Sequence, residues 1–195
     1  MISNIFQENH PLNPFLPVNA KVLLLGSFPP QKKRWSMDFF YPNLNNDMWR
    51  IFGIVFFGGK NHFLTATKKA FYKEKIIEFL TEKGIALYDA ATVVRRLNNN
   101  ASDKFLEVVE ATDIKALLVK IPRCTAIAVT GQKAADIFLQ QFHLKEPKTG
   151  EFTCFIHNNQ QMQLFRMPSS SRAYPLKIEQ KAKIYGEMFE KIGIV

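Results

Sequence analysis

Four short apolar runs limit what this chain can fold into. "AKVLLLGS" (residues 20–27), "IALYDA" (85–90), "CTAIAVTG" (124–131) and "MQLFRMPSSS" (162–171) are dense in aliphatic residues with little polar alternation. Runs of this kind read as strands buried on both faces, the pattern of a parallel sheet. Helical stretches fall between them. A helix begins near Asn46 and runs through "DMWRIFGIVF", and "TKKAFYKEKIIEFLTEKG" is amphipathic with Gly84 as its stop. "QKAADIFLQQF" leaves the third strand, and "LKIEQKAKIYGEMFEKIG" closes the chain. "SDKFLEVVEATDIKALLVKIP" is expected to hold one or two helical segments, capped by Ser102 or Asp103 and closed by Pro122. Strands alternating with helices predict a three-layer α/β/α sandwich around a central, mostly parallel four-stranded sheet. "EFTCFIHNNQQMQLF" can turn as a hairpin at Asn158-Asn159 and add an edge strand.

With 195 residues and no repeat or long linker, the chain is expected to form a single domain spanning 1–195. Its apolar runs are shorter than a membrane span, and "MISNIFQENHPLNPFLP" lacks the pattern of a secretory signal. Two cysteines, Cys124 and Cys154, form no disulfide framework and no zinc spacing. That usage fits a reducing cytoplasm. Four scattered histidines (His10, His62, His143, His157) argue against a metal centre. The net charge of +9 and pI of about 9.6 favour partners that carry phosphate.

In a doubly wound sheet, ligands bind beyond the carboxyl ends of the strands. Three such ends carry informative loops here: "GSFPP", "TGQKA" and "PSSSR". Gly26 permits a sharp exit from its strand, and Pro29 and Pro30 stiffen the loop beyond it. Pro168, Ser169, Ser170, Ser171 and Arg172 offer hydroxyls, small side chains and a charge for a phosphate. Between the first two strands lies "FFYPNLNNDMWRIFG", where Asn43, Asn45 and Asn46 sit among aromatic rings. Asn45 or Asn46 can cap the following helix, with Asp47 suited to its first turn. Amides clustered with rings also suit a nucleobase, which needs a face to stack on and an edge to read.

Taken in order, "LLLGSFPP", the aromatic-Pro-Asn stretch ending "NDMWRIFG", and "RMPSSSRA" resemble the uracil-DNA glycosylase superfamily. They are most like its hypoxanthine-DNA and mismatch-specific uracil/thymine glycosylase branches. The resemblance runs from about Lys21 to Pro175, and "VTGQKAA" matches the family's third strand-turn-helix. It implies a four-stranded parallel sheet between helices and cleavage of the bond joining a flipped, damaged base to deoxyribose. It also implies that Asn46 supplies the working amide, as the Asn of an Asn-x-aromatic-Trp signature in which Met48 takes the aromatic place. Phe28 stands where the mismatch-specific enzymes carry a water-positioning Asn. The "PSSSR" loop lacks the bulky apolar wedge of some branches, and the resemblance sets Arg172 against that place.

On this reading, Gly26, Ser27 and Phe28 line the base pocket, and Phe40 and Tyr41 compete to stack on the ring. Asn46, Asp38 and Asp47 are the candidate catalytic residues, with Asp89 a further carboxylate at a strand end. Ser27, Ser169 and Ser171 grip phosphates beside Arg172, with Lys32, Lys33 and Arg34 supplying charge. The expected protein is a cofactor-free, monomeric, monofunctional DNA glycosylase, acting on DNA that contains uracil or hypoxanthine. A lesion-binding protein without turnover and a hydrolase of free nucleosides are the competing readings.

Overall fold

The computed structural model describes residues 7–97 and 105–195. Its main sheet contains β2 (Val22–Gly26), β3 (Ile85–Asp89), β6 (Ala126–Thr130), β7 (Phe152–His157) and β8 (Gln160–Met167), in the order β3-β2-β6-β8-β7. Four of these strands are mutually parallel, and β7 pairs antiparallel with β8. The sheet is therefore mixed and five-stranded, rather than a four-stranded parallel core. The β7–β8 hairpin turns at Asn158 and Asn159, both with positive φ (50° and 58°), a conformation Asn tolerates better than most residues. Every residue of β2, β3 and β6 is buried, which accounts for their unbroken apolar runs.

A second sheet departs from the sequence-based expectation. Gln7–Asn9 (β1), Ala91–Arg96 (β4) and Leu106–Ala111 (β5) form a three-stranded antiparallel sheet in the order β1-β4-β5. "LEVVEA", expected to be helical, is a strand. Its Leu106 is buried and its neighbours largely exposed, so it covers the core at one end instead of presenting a helical stripe. Ser102 and Asp103, the candidate caps, lie outside the described residues. The helix in this region is Ile114–Lys120 (α3), capped by the Asp113 carboxylate accepting from the Ala116 N–H at 3.0 Å.

The other helices are Met48–Phe57 (α1), Lys73–Lys83 (α2), Gln132–Phe142 (α4) and Ile178–Lys191 (α5). Gly84 ends α2 in the left-handed region (φ 71°), with its N–H returned to Leu80 and Thr81 carbonyls. The β2→β3 and β6→β8 crossovers run in opposite directions along the sheet. Right-handed connections therefore place α1 and α2 on one face and α4 on the other. Phe189 of α5 meets Phe52 of α1 at 5.3 Å, putting α5 with α1. Gln141 of α4 hydrogen-bonds the Thr112 carbonyl and the Ile114 N–H, joining α3 to α4.

Cys124 is buried at the entrance to β6, and Cys154 is exposed on β7. Burial pushes the Cys124 thiol up to about 12, outweighing the backbone hydrogen bonds that favour its thiolate. An unfolded cysteine titrates at about 8.5. A thiol reagent at pH 7–9 should therefore label Cys154 alone in the folded chain and Cys124 only after denaturation. Equal labelling of both in native buffer would contradict this packing. No helix among the described residues is long and apolar enough to cross a membrane.

Candidate active site

The strand ends converge as the parallel register requires. Gly26 pairs with Asp89 across β2–β3, and Thr130 with Met167 across β6–β8. The loops at 27–30, 131–132 and 168–172 therefore leave from one edge. Gly26 is needed there for space: a Cβ on it would overlap Oδ1 of Asp89 and lie 3.2 Å from the Tyr41 hydroxyl. That hydroxyl is 3.1 Å from Oγ1 of Thr130, which donates to the Leu25 carbonyl at 3.2 Å. Tyr41 adopts φ 49°, uncommon for so bulky a residue, and turns the chain toward the strand ends.

The asparagines form a nested turn. Oδ1 of Asn43 accepts from the Asn45 N–H at 2.9 Å, and the Asn43 carbonyl accepts from the Asn46 N–H at 2.8 Å. Oδ1 of Asn46 then accepts from the Met48 N–H at 2.9 Å, at the start of α1. Nδ2 of Asn46 donates to no protein group among the described residues, and the side chain is half-buried. Asp47 is the N-cap of α1 and makes no side-chain cap; the Asn46 amide, one residue earlier, occupies the first N–H of the helix through its oxygen and keeps two N–H donors available.

The Ser-rich loop docks directly on this turn. Asn46 and Ser171 form an antiparallel bridge, and the Asp47 N–H donates to the Ser170 carbonyl at 2.9 Å. Arg172 Nε donates to Oδ1 of Asp47 at 2.9 Å, and Nη1 of Arg50 lies 3.8 Å from the same oxygen. From beneath, Lys181 Nζ donates to the Ser171 carbonyl at 2.7 Å and the Tyr185 hydroxyl to the Pro168 carbonyl at 2.9 Å. Lys181 is buried (1% exposed). Burial lowers its pKa below the ordinary lysine value; the Asp47 carboxylate opposes that shift and Arg172 adds to it. Ser169 Oγ accepts from the Ser171 N–H and Ser171 Oγ from the Ala173 N–H, both at 3.2 Å, so these hydroxyls stiffen the loop.

Several of the candidate residues prove to be otherwise engaged. Phe40 is core, 2% exposed, with its ring 5.2 Å from Phe39 and 6.3 Å from Tyr88; of the two ring candidates, only Tyr41 keeps partial exposure. Phe28 is also buried, beneath the Arg96 guanidinium at 5.5 Å. Arg96 pins that loop by donating to the Pro29 carbonyl while pairing with Glu8 at 2.9 Å. Asp47 is bound by the two arginines, which suits a structural anchor better than a base. Asp38 stands on the surface, 2.6 Å from Lys32. The Lys32 hydrogen bond and charge, with help from Lys73, hold its carboxyl below the ordinary aspartate range, which makes it a weaker proton acceptor.

His10, which no sequence pattern singles out, sits at the same edge. Its Nε2 lies 2.9 Å from Oδ2 of Asp89, and the two side chains are 2% and 8% exposed. The ring packs edge-on against Phe28 at 5.3 Å and beside Tyr88 at 4.7 Å. Nδ1 has both the Leu12 carbonyl (2.8 Å) and the Leu12 N–H (3.1 Å) within reach. The Asp89 carboxylate next to Gly26 is thus held by a histidine 79 residues away. No local sequence signal reports such a pair.

Among the described residues, no cluster of three or more His, Cys, Asp or Glu could hold a metal ion. A shallow groove of about 490 Å³ lies between α1 and α5, lined by Ile54, Val55, Lys183, Gly186 and Glu187 among others. It contains none of the residues at the strand ends.

No protein-family model and no curated protein matches the chain. Among solved structures, it is similar to a Methanosarcina acetivorans protein determined by solution NMR and provisionally named a uracil DNA glycosylase. The two share 20% identity, with a TM-score of 0.64 over 96% of this chain and 99% of that one. The likeness establishes a common α/β fold over nearly the full extent of both chains.

Proposed function

We propose that the chain is a DNA glycosylase: it flips a deaminated base, uracil or hypoxanthine, out of DNA and hydrolyses its N-glycosidic bond in base excision repair. The observation that carries this reading is the Asn46 amide. It is fixed through its oxygen, bridged to the Ser-rich loop, and keeps its nitrogen available at the edge where the strand ends meet. The basic charge and the fold shared with the M. acetivorans protein support DNA as substrate.

Cleavage puts positive charge on the sugar and negative charge on the departing base. Nδ2 of Asn46 and the backbone N–H of Phe28 would donate to a base oxygen as that charge grows. One preorganised donor of this kind contributes about 2.7–4 kcal/mol. Tyr41 would stack on the flipped ring, and the second lone pair of the Asn46 oxygen would orient water toward the sugar carbon. The 168–172 loop would meet phosphates beside the target, with its backbone N–H groups and Arg172 making the contacts. The chain would act as a monomer, without a cofactor or metal, in the cytoplasm. No lysine nucleophile is assigned, so the product is a free base and an intact abasic strand.

One observation favours lesion binding without turnover. The nearby carboxylates Asp47, Asp38 and Asp89 are all held by cations or by His10. Base release from labelled single- and double-stranded oligonucleotides carrying uracil or hypoxanthine decides between the readings. The expected result is release of one of these bases, with strand scission only after alkali. Tight lesion binding with no release overturns catalysis and leaves a recognition protein.

A further inference from the structure

A tight hairpin loop stands beside the site, formed by the residues between α1 and α2. Leu64 bridges to Phe71, the Thr65 N–H donates to the Ala70 carbonyl at 2.9 Å, and the Lys68 N–H donates to the Thr65 carbonyl at 2.8 Å. Lys68 is held at φ 56°, a conformation that lysine rarely adopts without such support. At its base, the Tyr72 N–H donates to the buried Phe63 carbonyl at 2.8 Å. The tip thus displays Ala66, Thr67, Lys68 and Lys69 to solvent from a preorganised frame.

Two features of this loop lack an internal explanation. Tyr72 occupies the N-cap of α2 but makes no capping hydrogen bond, where Ser, Thr, Asp or Asn would stabilise the helix. The residue is instead 52% exposed. Lys68, Lys69, Lys73 and Lys75 all lie within four residues of it along the chain, with only Glu74 of opposite sign in the same stretch. Like charges gathered in so short a stretch repel one another, and an anion bound there relieves that repulsion.

A chain of charged and aromatic side chains connects the loop to the site. The Arg50 guanidinium lies 5.3 Å above the Phe71 ring and also faces Asp47, which Arg172 binds. On the other side, Lys73 lies near Asp38, the partner of Lys32 in the Lys32–Arg34 turn. Arg172 and Arg50 therefore border the Asn46 segment directly, and the loop joins it through Phe71 beneath Arg50. An exposed ring among lysines beside a base-flipping site matches what an unpaired DNA strand requires: cations for phosphate and a flat face for a base.

Resting on the proposed function, we infer that the 64–73 loop is a second DNA-contact surface, receiving the strand that flanks the flipped nucleotide, with Lys68 and Lys69 on phosphates and Tyr72 against a base. The test measures binding of a fluorescent oligonucleotide containing a single uracil, over a range of salt concentrations. It compares wild type, Lys68→Ala/Lys69→Ala, Tyr72→Ser, and Lys120→Ala on α3 across the sheet. The double variant should reduce the steepness of log K against log salt by about 1.4–1.8, from ~0.7–0.9 per lost phosphate contact. Tyr72→Ser should weaken binding roughly tenfold with the slope unchanged. Lys120→Ala should match wild type. If wild type binds but neither loop variant differs from it, the surface is wrong and the proposed function stands. An equal loss in Lys120→Ala also overturns it, since charge would then act without location. If wild type binds no oligonucleotide, both readings fall.

Discussion

Replacing Trp49 with alanine should cost about 3–5 kcal/mol of folding stability, the range for truncating a fully packed large aromatic. That is a large share of the roughly 5–15 kcal/mol that holds a domain together. Trp49 is 0% exposed and meets Phe39, Tyr41, Phe52 and Phe63 at ring-centroid distances of 5.5–6.3 Å. Its Nε1–H also donates to the Phe40 carbonyl at 3.1 Å. Trp49→Phe keeps most of the volume and deletes that bond, leaving a buried carbonyl unmatched at about 1–3 kcal/mol. Urea unfolding should therefore rank wild type above Trp49→Phe above Trp49→Ala, with midpoints shifted and slopes unchanged. A loss below about 1 kcal/mol for alanine would mean the aromatic cluster collapses into the cavity and does not fix Tyr41. The stretch around the asparagines is so aromatic because this cluster anchors the turn; its rings are mostly buried and Tyr41 alone among them is partly exposed.

The core of the fold was legible because burial on two faces writes itself into composition. β2, β3 and β6 show as unbroken apolar runs, and Gly84 marks the end of α2 through its left-handed cap. β4 and β5 were not legible for the converse reason. Residues such as Glu107, Val109 and Glu110 lie largely exposed, so "LEVVEA" carries no clean burial period, and its strand state depends on pairing with β4 and through it with β1. The candidate site divides in the same way. The Asn46 turn onto the Met48 N–H is a local event two residues long, although the N-cap of α1 itself is Asp47. The Arg172–Asp47 and His10–Asp89 pairs span 125 and 79 residues, and only the assembled sheet edge brings them together. Those pairs fix the Asp47 and Asp89 carboxylates in place at the sheet edge, beside the loops that carry the candidate site.

Asn46 itself can be divided into its two functions by choice of substitution. Asparagine and aspartate hold the start of α1 equally well, because either offers an oxygen to the Met48 N–H. Only asparagine also offers an N–H. Asn46→Asp should therefore melt close to wild type while base release falls by about 10²–10³, the loss of one preorganised donor. Asn46→Ala should lose the donor and the helix-holding oxygen together, showing the same fall in release and about 1 kcal/mol less stability. If Asn46→Asp releases base at the wild-type rate, the nitrogen is not the donor, and the oxygen that both residues share positions water instead. If both variants release at the wild-type rate, the amide serves α1 alone, and the donor must be sought in the backbone of the Gly26–Phe28 loop.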